Sequence, residues 1–92
     1  MKHKFTDAQI SFLWNMRDGS PVRRRVRGST NQKVVFDVLA PNGWQRIFHT
    51  KPAIVNKLEL DRVLIFVGHS DQNSELLVVA PLFQRIVRSL FA

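Results

Sequence analysis

The chain has 92 residues, enough for one domain whose thin core can spare few apolar side chains for a deep pocket. It is 45% hydrophobic and 23% charged, too apolar for disorder, and it has no cysteine, which excludes disulfides, zinc ribbons and thiol nucleophiles. Fourteen Lys and Arg against seven Asp and Glu leave a net charge of +7, an excess that favours polyanionic partners.

No apolar run approaches the roughly 18–20 residues of a membrane span, so no membrane role is expected. The start, Met1 to Phe5, turns polar at Thr6 and Asp7 without an apolar signal segment. A cytoplasmic location is the expectation.

Thr6-Asp7-Ala8-Gln9 is a capping box, with Phe5 and Ile10 placed for a hydrophobic staple. Ile10, Leu13, Trp14 and Arg17 follow at helical spacing, and Phe12 and Met16 widen the apolar arc. Gly19 and Ser20-Pro21 stop this helix. Val22 to Arg27 then predicts a short strand whose charge suits a sheet edge. After a turn at Gly28 to Asn31, Val34 to Leu39 predicts a second strand, with Val34, Phe36 and Val38 on one side. Ala40-Pro41-Asn42-Gly43 is a hairpin turn, and Trp44 to His49 is the return strand. A second helix is expected from Thr50, with Pro52 in its first turn and Ile54, Val55, Leu58 and the stem of Arg62 on one face. Val63 to Val67 predicts a buried strand, Gly68 to Ser74 a polar loop, and Glu75 to Ala80 a return strand. Pro81 opens a last helix in which Leu82, Phe83, Ile86, Val87 and Leu90 form an apolar stripe. The expected fold class is α+β: three helices and two β-hairpins in the order α-β-β-β-α-β-β-α, in one domain over residues 1–92.

Four of the five residues from Arg23 to Arg27 are Arg. On a strand, Arg23, Arg25 and Arg27 share one side at a spacing of about 6.6–6.8 Å, which can follow a phosphate backbone. Arg24 falls opposite, with Val22 and Val26, where its stem can pack. Lys51, Asn56, Lys57 and Arg62 form a second candidate surface on the middle helix, since Asn can read adenine edges and Lys can meet phosphate or guanine. Glu59 and Asp61 on that helix oppose the idea. Asp37 most simply pairs with a nearby Arg. Trp14 and Trp44, in so small a core, are expected to be packed inside rather than free for base stacking. His3, His49 and His69 have no metal-ligand spacing. No Gly-rich phosphate loop, nucleophile elbow or paired carboxylates in an apolar frame are present, so neither catalysis nor a cofactor is expected.

The layout resembles small winged-helix proteins of bacteria and their phages. The features that carry the likeness are a Thr6-x-x-Gln9 first helix with Leu13, closed by Gly19, and a second helix introduced by Thr50 and closed by Leu64-Ile65. A wing over Ile65 to Ala80 and a final helix over Pro81 to Phe91 complete it. The arrangement is similar to the YjhX-type toxin family. The resemblance implies a binding module more firmly than sequence-specific DNA reading; taken with the basic charge, the expectation is a DNA-binding module, a small regulator of bacterial or phage type, with Arg23, Arg24, Arg25, Arg27, Lys51, Asn56, Lys57 and Arg62 on the nucleic acid. It departs from that pattern at Lys33 to His49, where a helix-turn-helix has a supporting helix and this chain has a hairpin. The rival expectation is a protein-binding effector, such as a phage-encoded inhibitor, docking on an acidic host protein; RNA binding is a third. Phe12, Met16, Phe83, Leu90 and Phe91 exceed what one thin core absorbs, so a homodimer is a further expectation.

Overall fold

The structure, a computed structural model, describes residues 4–27 and 33–92; the turn at Gly28 to Asn31 and His3 lie outside the described residues. The capping box forms as expected. The backbone N–H of Gln9 donates to the Thr6 hydroxyl at 3.1 Å, and the Thr6 N–H donates to the Gln9 side-chain oxygen at 2.9 Å. These bonds satisfy donors that a helix start otherwise leaves open, and launch α1 (Asp7–Leu13). A short 3-10 turn at Trp14–Met16 tightens its end. Gly19 then turns the chain at φ +87°, a conformation that suits glycine.

Five strands follow in two groups: β1 (Val22–Arg27), β2 (Lys33–Ala40) and β3 (Gly43–Ile47) before the second helix, β4 (Leu64–Asp71) and β5 (Ser74–Val79) after it. The helices α2 (Pro52–Leu60) and α3 (Pro81–Leu90) each carry Pro in the first turn, where a missing N–H costs nothing. All strand pairings are antiparallel, and the spatial order is β3-β2-β1-β5-β4. The described residues are thus α+β, with three α-helices and one five-stranded antiparallel sheet.

Two expectations are corrected here. The arginine-rich strand β1 is not an edge but the middle of the sheet, hydrogen-bonded to β2 and β5 on its two sides. Three of its four arginines, Arg23, Arg24 and Arg25, pair with carboxylates on neighbouring elements, while Arg27 is exposed and has no ion pair among the described residues. The expected loop at Gly68 to Ser74 is mostly strand: β4 runs on to Asp71 through two register shifts, and a tight turn at Gln72-Asn73 leads into β5.

The sheet has one covered side. Val22, Phe36, Leu64, Leu77 and Val79 point to the helices and join Phe12, Leu13 and Met16, Val55 and Leu58, and Val87 in one core. Phe12 meets Phe36 edge-on, with ring centroids 6.1 Å apart, tying the end of α1 to β2. The expected surplus of outer-helix apolar residues is also corrected: Phe12 and Met16 are buried, and Phe83 and Phe91 pack against the core. Most of the apolar excess that pointed to a homodimer is therefore absorbed within one chain.

The end of α2 explains how β4 enters the core. The Arg62 N–H donates to the Glu59 carbonyl at 3.0 Å and the Val63 N–H to the Leu58 carbonyl at 2.9 Å. This is a Schellman motif with its hydrophobic contact, since Leu58 and Val63 are both buried. Arg62 sits where glycine is usual, at φ +63°, beyond the helix instead of on its face. Replacing Arg62 with Gly removes a left-handed strain of about 1–2 kcal/mol, partly offset by the greater chain entropy of glycine, roughly 0.5–1 kcal/mol. Arg62→Gly is expected to unfold at the same temperature or a few degrees higher; a clear loss in a thermal melt would mean that the Arg62 side chain holds the motif.

Candidate functional site

Cross-strand register decides which side chains share a surface. Arg23 lies opposite Asp37, which lies opposite Arg46; Arg27 lies opposite Lys33; Leu39 lies opposite Trp44. With strand alternation, Arg23, Arg25, Arg27, Lys33, Asp37, Trp44 and Arg46 all fall on the side of the sheet away from the core. On β5 and β4 the same side continues as Leu76, Val78 and Ile65, all half-buried. The face has a cationic half over β1 to β3 and an apolar half over β5 and β4.

Asp37 organises the cationic half. It is 2% exposed although it stands on the side without helices, because two arginines close over it. Nε of Arg25 donates to Oδ2 at 2.6 Å and an Nη donates to Oδ1 at 3.3 Å; Nε of Arg23 donates to the same Oδ2 at 3.1 Å. Burial pushes the Asp37 carboxyl up, but the hydrogen bonds and charges of Arg25 and Arg23 outweigh it and hold the carboxyl below its ordinary value. The Arg25 guanidinium is correspondingly pushed up by its bonds to Asp37. Each guanidinium has five N–H donors, and those left over take no acceptor among the described residues. Both groups are therefore fixed in direction and still able to donate.

Arg23 also stacks on Trp44, with its guanidinium carbon 4.6 Å from the ring centroid. One strand step on, the Arg46 guanidinium lies 5.5 Å from the ring of the exposed Phe48. At the far end, Arg27 and Lys33 oppose each other directly, and neither has an ion pair among the described residues. Like charges so placed repel. The carboxylate Asp71 lies toward this same end, since it is opposite Ser74 and Ser74 is opposite Arg25, and it feels Arg23 and Arg25. In all, the cations Arg23, Arg25, Arg27, Lys33 and Arg46 share this side with the carboxylates Asp37 and Asp71.

The sequence-derived candidates separate into two layers. Arg23, Arg25 and Arg27 share the open face as the alternation requires. Arg24 does not join them. It faces the helices, where Nη1 donates to Glu59 of α2 at 2.8 Å and Nε to Glu75 of β5 at 2.9 Å. Burial disfavours its charge, but the bonds to Glu59 and Glu75 outweigh this and raise its pKa. Arg24 is a clamp between α2 and the sheet, with its charge neutralised. Asn56 turns toward the same clamp, accepting from Arg24 at 3.5 Å. Lys57 pairs with Asp61 at 3.0 Å, and Lys51 is the exposed residue before α2, with no side-chain cap bond. These α2 residues belong to the helix layer, not to the arginine row.

Both tryptophans depart from expectation. Trp14 is 48% exposed, covered by Arg17 at 3.7 Å and edge-on to Phe91, and Trp44 is half-buried under Arg23. Lys33, Trp44 and Arg46 were not among the sequence-derived candidates. The turn at Pro41-Asn42 carries the signal for two of them: it fixes Ala40 opposite Gly43, and hence Asp37 opposite Arg46. Among the described residues no group of His, Cys, Asp or Glu could hold a metal ion, and no helix is long and apolar enough to cross a membrane. No protein-family model matches the chain, and no curated protein or solved structure matches it.

Because the folded pKa of Asp37 is lowered, its stabilising contribution is complete above the ordinary carboxylate value of about 3.9 and is lost as pH falls through the folded value. Asp37→Asn is expected to cost about 1–3 kcal/mol at neutral pH by leaving two guanidiniums poorly matched. Thermal melts from pH 7 down to about pH 2 should show a shallower acid fall for the variant than for the parent. Parallel profiles would mean that Asp37 is not the anchor.

Proposed function

We propose that this chain is a nucleic-acid-binding module that meets the phosphate backbone with the open face of its sheet. The observation that carries this reading is the row Arg23, Arg25, Arg27, continued by Lys33 and Arg46, on a side of the sheet that no helix among the described residues covers. A structural explanation accounts for Arg24, whose charge is consumed internally. It does not account for Arg27 opposite Lys33, an arrangement that costs stability until an anion lies between them. Phosphate oxygens supply that anion, and guanidiniums held by Asp37 donate to them without first having to be ordered.

The winged-helix resemblance leads instead to α2 in a major groove. Less supports that docking, because Lys57 is paired with Asp61, Asn56 turns toward Arg24, and Arg62 lies past the helix end. Nucleic-acid binding stands without it. A second reading, a protein-binding effector, has one observation in its favour: Phe66 and Val67 on the outer strand β4 are about half exposed, beside a strand edge of the kind that pairs with partners.

Anisotropy titrations of labelled DNA oligonucleotides test the proposal. With about three to five phosphates contacted, log affinity should fall against log salt with a slope of about −2 to −4.5. Replacing Arg27, Lys33 and Arg46 with Gln together should weaken binding at least tenfold, whereas replacing Lys51, Lys57 and Arg62 should change it by less than threefold. The reverse ranking returns the contact to α2, and no binding at low salt favours the protein-binding reading.

A further inference from the structure

We infer that the open face takes single-stranded nucleic acid in preference to duplex, with Trp44 as a base-stacking platform; this rests on the function proposed above. The first ground is size. Five strands spaced about 4.8 Å apart span roughly 19 Å, while the major groove of DNA is about 12 Å wide. This sheet cannot enter a groove face-on. Against a duplex its face reaches phosphates only, because the bases are stacked inside.

The second ground is chemistry that phosphate binding leaves unused. Trp44 lies on the open face, flanked by Leu39, which is itself exposed, and by the Arg23 guanidinium 4.6 Å from the ring. Phe48, further along the same chain direction, has the Arg46 guanidinium beside it. Each pair sets a planar cation next to an aromatic ring at the margin of the cationic row. A strand laid across the face can place phosphates on Arg25, Arg27 and Lys33 and lay bases on the part of the indole that Arg23 leaves open and on the Arg23 guanidinium stacked over it, both of which accept any base. The apolar half, Leu76, Val78 and Ile65, extends the surface that unpaired bases can cover. Duplex meets the cations with its phosphates but brings no base to Trp44, Phe48 or these apolar side chains.

The chain has two tryptophans, so Trp14→Phe leaves Trp44 as the sole indole reporter and keeps an aromatic ring against Phe91. This variant is titrated at one low salt concentration with oligothymidylate of about 12 nucleotides and with a duplex of the same length. The expected result is quenching of Trp44 emission by the single strand, bound at least tenfold more tightly than the duplex. Adding Trp44→Leu should weaken single-strand binding about 5–150-fold, the range for losing one stacked base. Duplex bound as tightly as the single strand, or single-strand binding that leaves Trp44 emission unchanged, overturns the inference while the phosphate-binding face stands. Binding of neither oligonucleotide removes the nucleic-acid reading itself. If Trp44→Leu does not fold, the quenching titration alone decides.

Discussion

A carboxylate in the middle of the sheet makes the rest of this fold possible. Arg23, Arg25 and Arg27 stand in line on one side of the central strand, at a spacing where like charges repel and long side chains are free to move. Asp37, one strand away, binds the first two at once and is sealed beneath them. The hydrogen bonds that keep Asp37 ionised are the same ones that hold the two guanidiniums in place. One buried negative charge thus serves two positive charges, and the trio keeps a net positive charge.

The opposite side of the same strand solves the same problem in another way. Arg24 stands among core-facing positions, where an unpaired charge would be costly. Glu59 from α2 and Glu75 from β5 meet it at the margin of the core, so the charge is spent in joining the helix layer to the sheet. These bridges are partly exposed and are worth on the order of 1 kcal/mol or less each. Their effect is mainly on register and on where α2 sits. The Schellman motif at Arg62 then delivers Val63 into the core and starts β4. Four arginines in five residues therefore have two fates, set by strand alternation: one is neutralised inside the fold, and the others line its open face.

Local chemistry was legible in the sequence, and long-range pairing was not. The Thr6–Gln9 capping box, Pro52 and Pro81 in first turns, the Pro41-Asn42 hairpin and the alternation of Arg23, Arg25 and Arg27 are short-range patterns, and the structure contains each. The order of helices and strands follows from them. The central place of β1 does not. A charged strand resembles an edge until its counter-charges are known, and those of Arg24 lie 35 and 51 residues away. The same holds for the candidate site. Arg23, Arg25 and Arg27 could be placed on one face, but setting Lys51 and Lys57 on the opposite layer needed the sheet to be assembled. Trp44 was expected inside because the core is small; instead a guanidinium shields its ring on the outer face. Arg62 gives no sequence signal for its left-handed turn, since glycine is the usual residue there.

If the arginine row held by Asp37 is the contact surface for a polyanion, its side chains respond first when one is added. Side-chain NMR during titration with an oligonucleotide tests it most directly. The Nε–H resonances of Arg23, Arg25 and Arg46 and the indole N–H of Trp44 are expected to shift together, while that of Arg24 and the amides of α2 stay in place. Shifts confined to α2, with the Arg23 and Arg25 resonances unmoved, would contradict it.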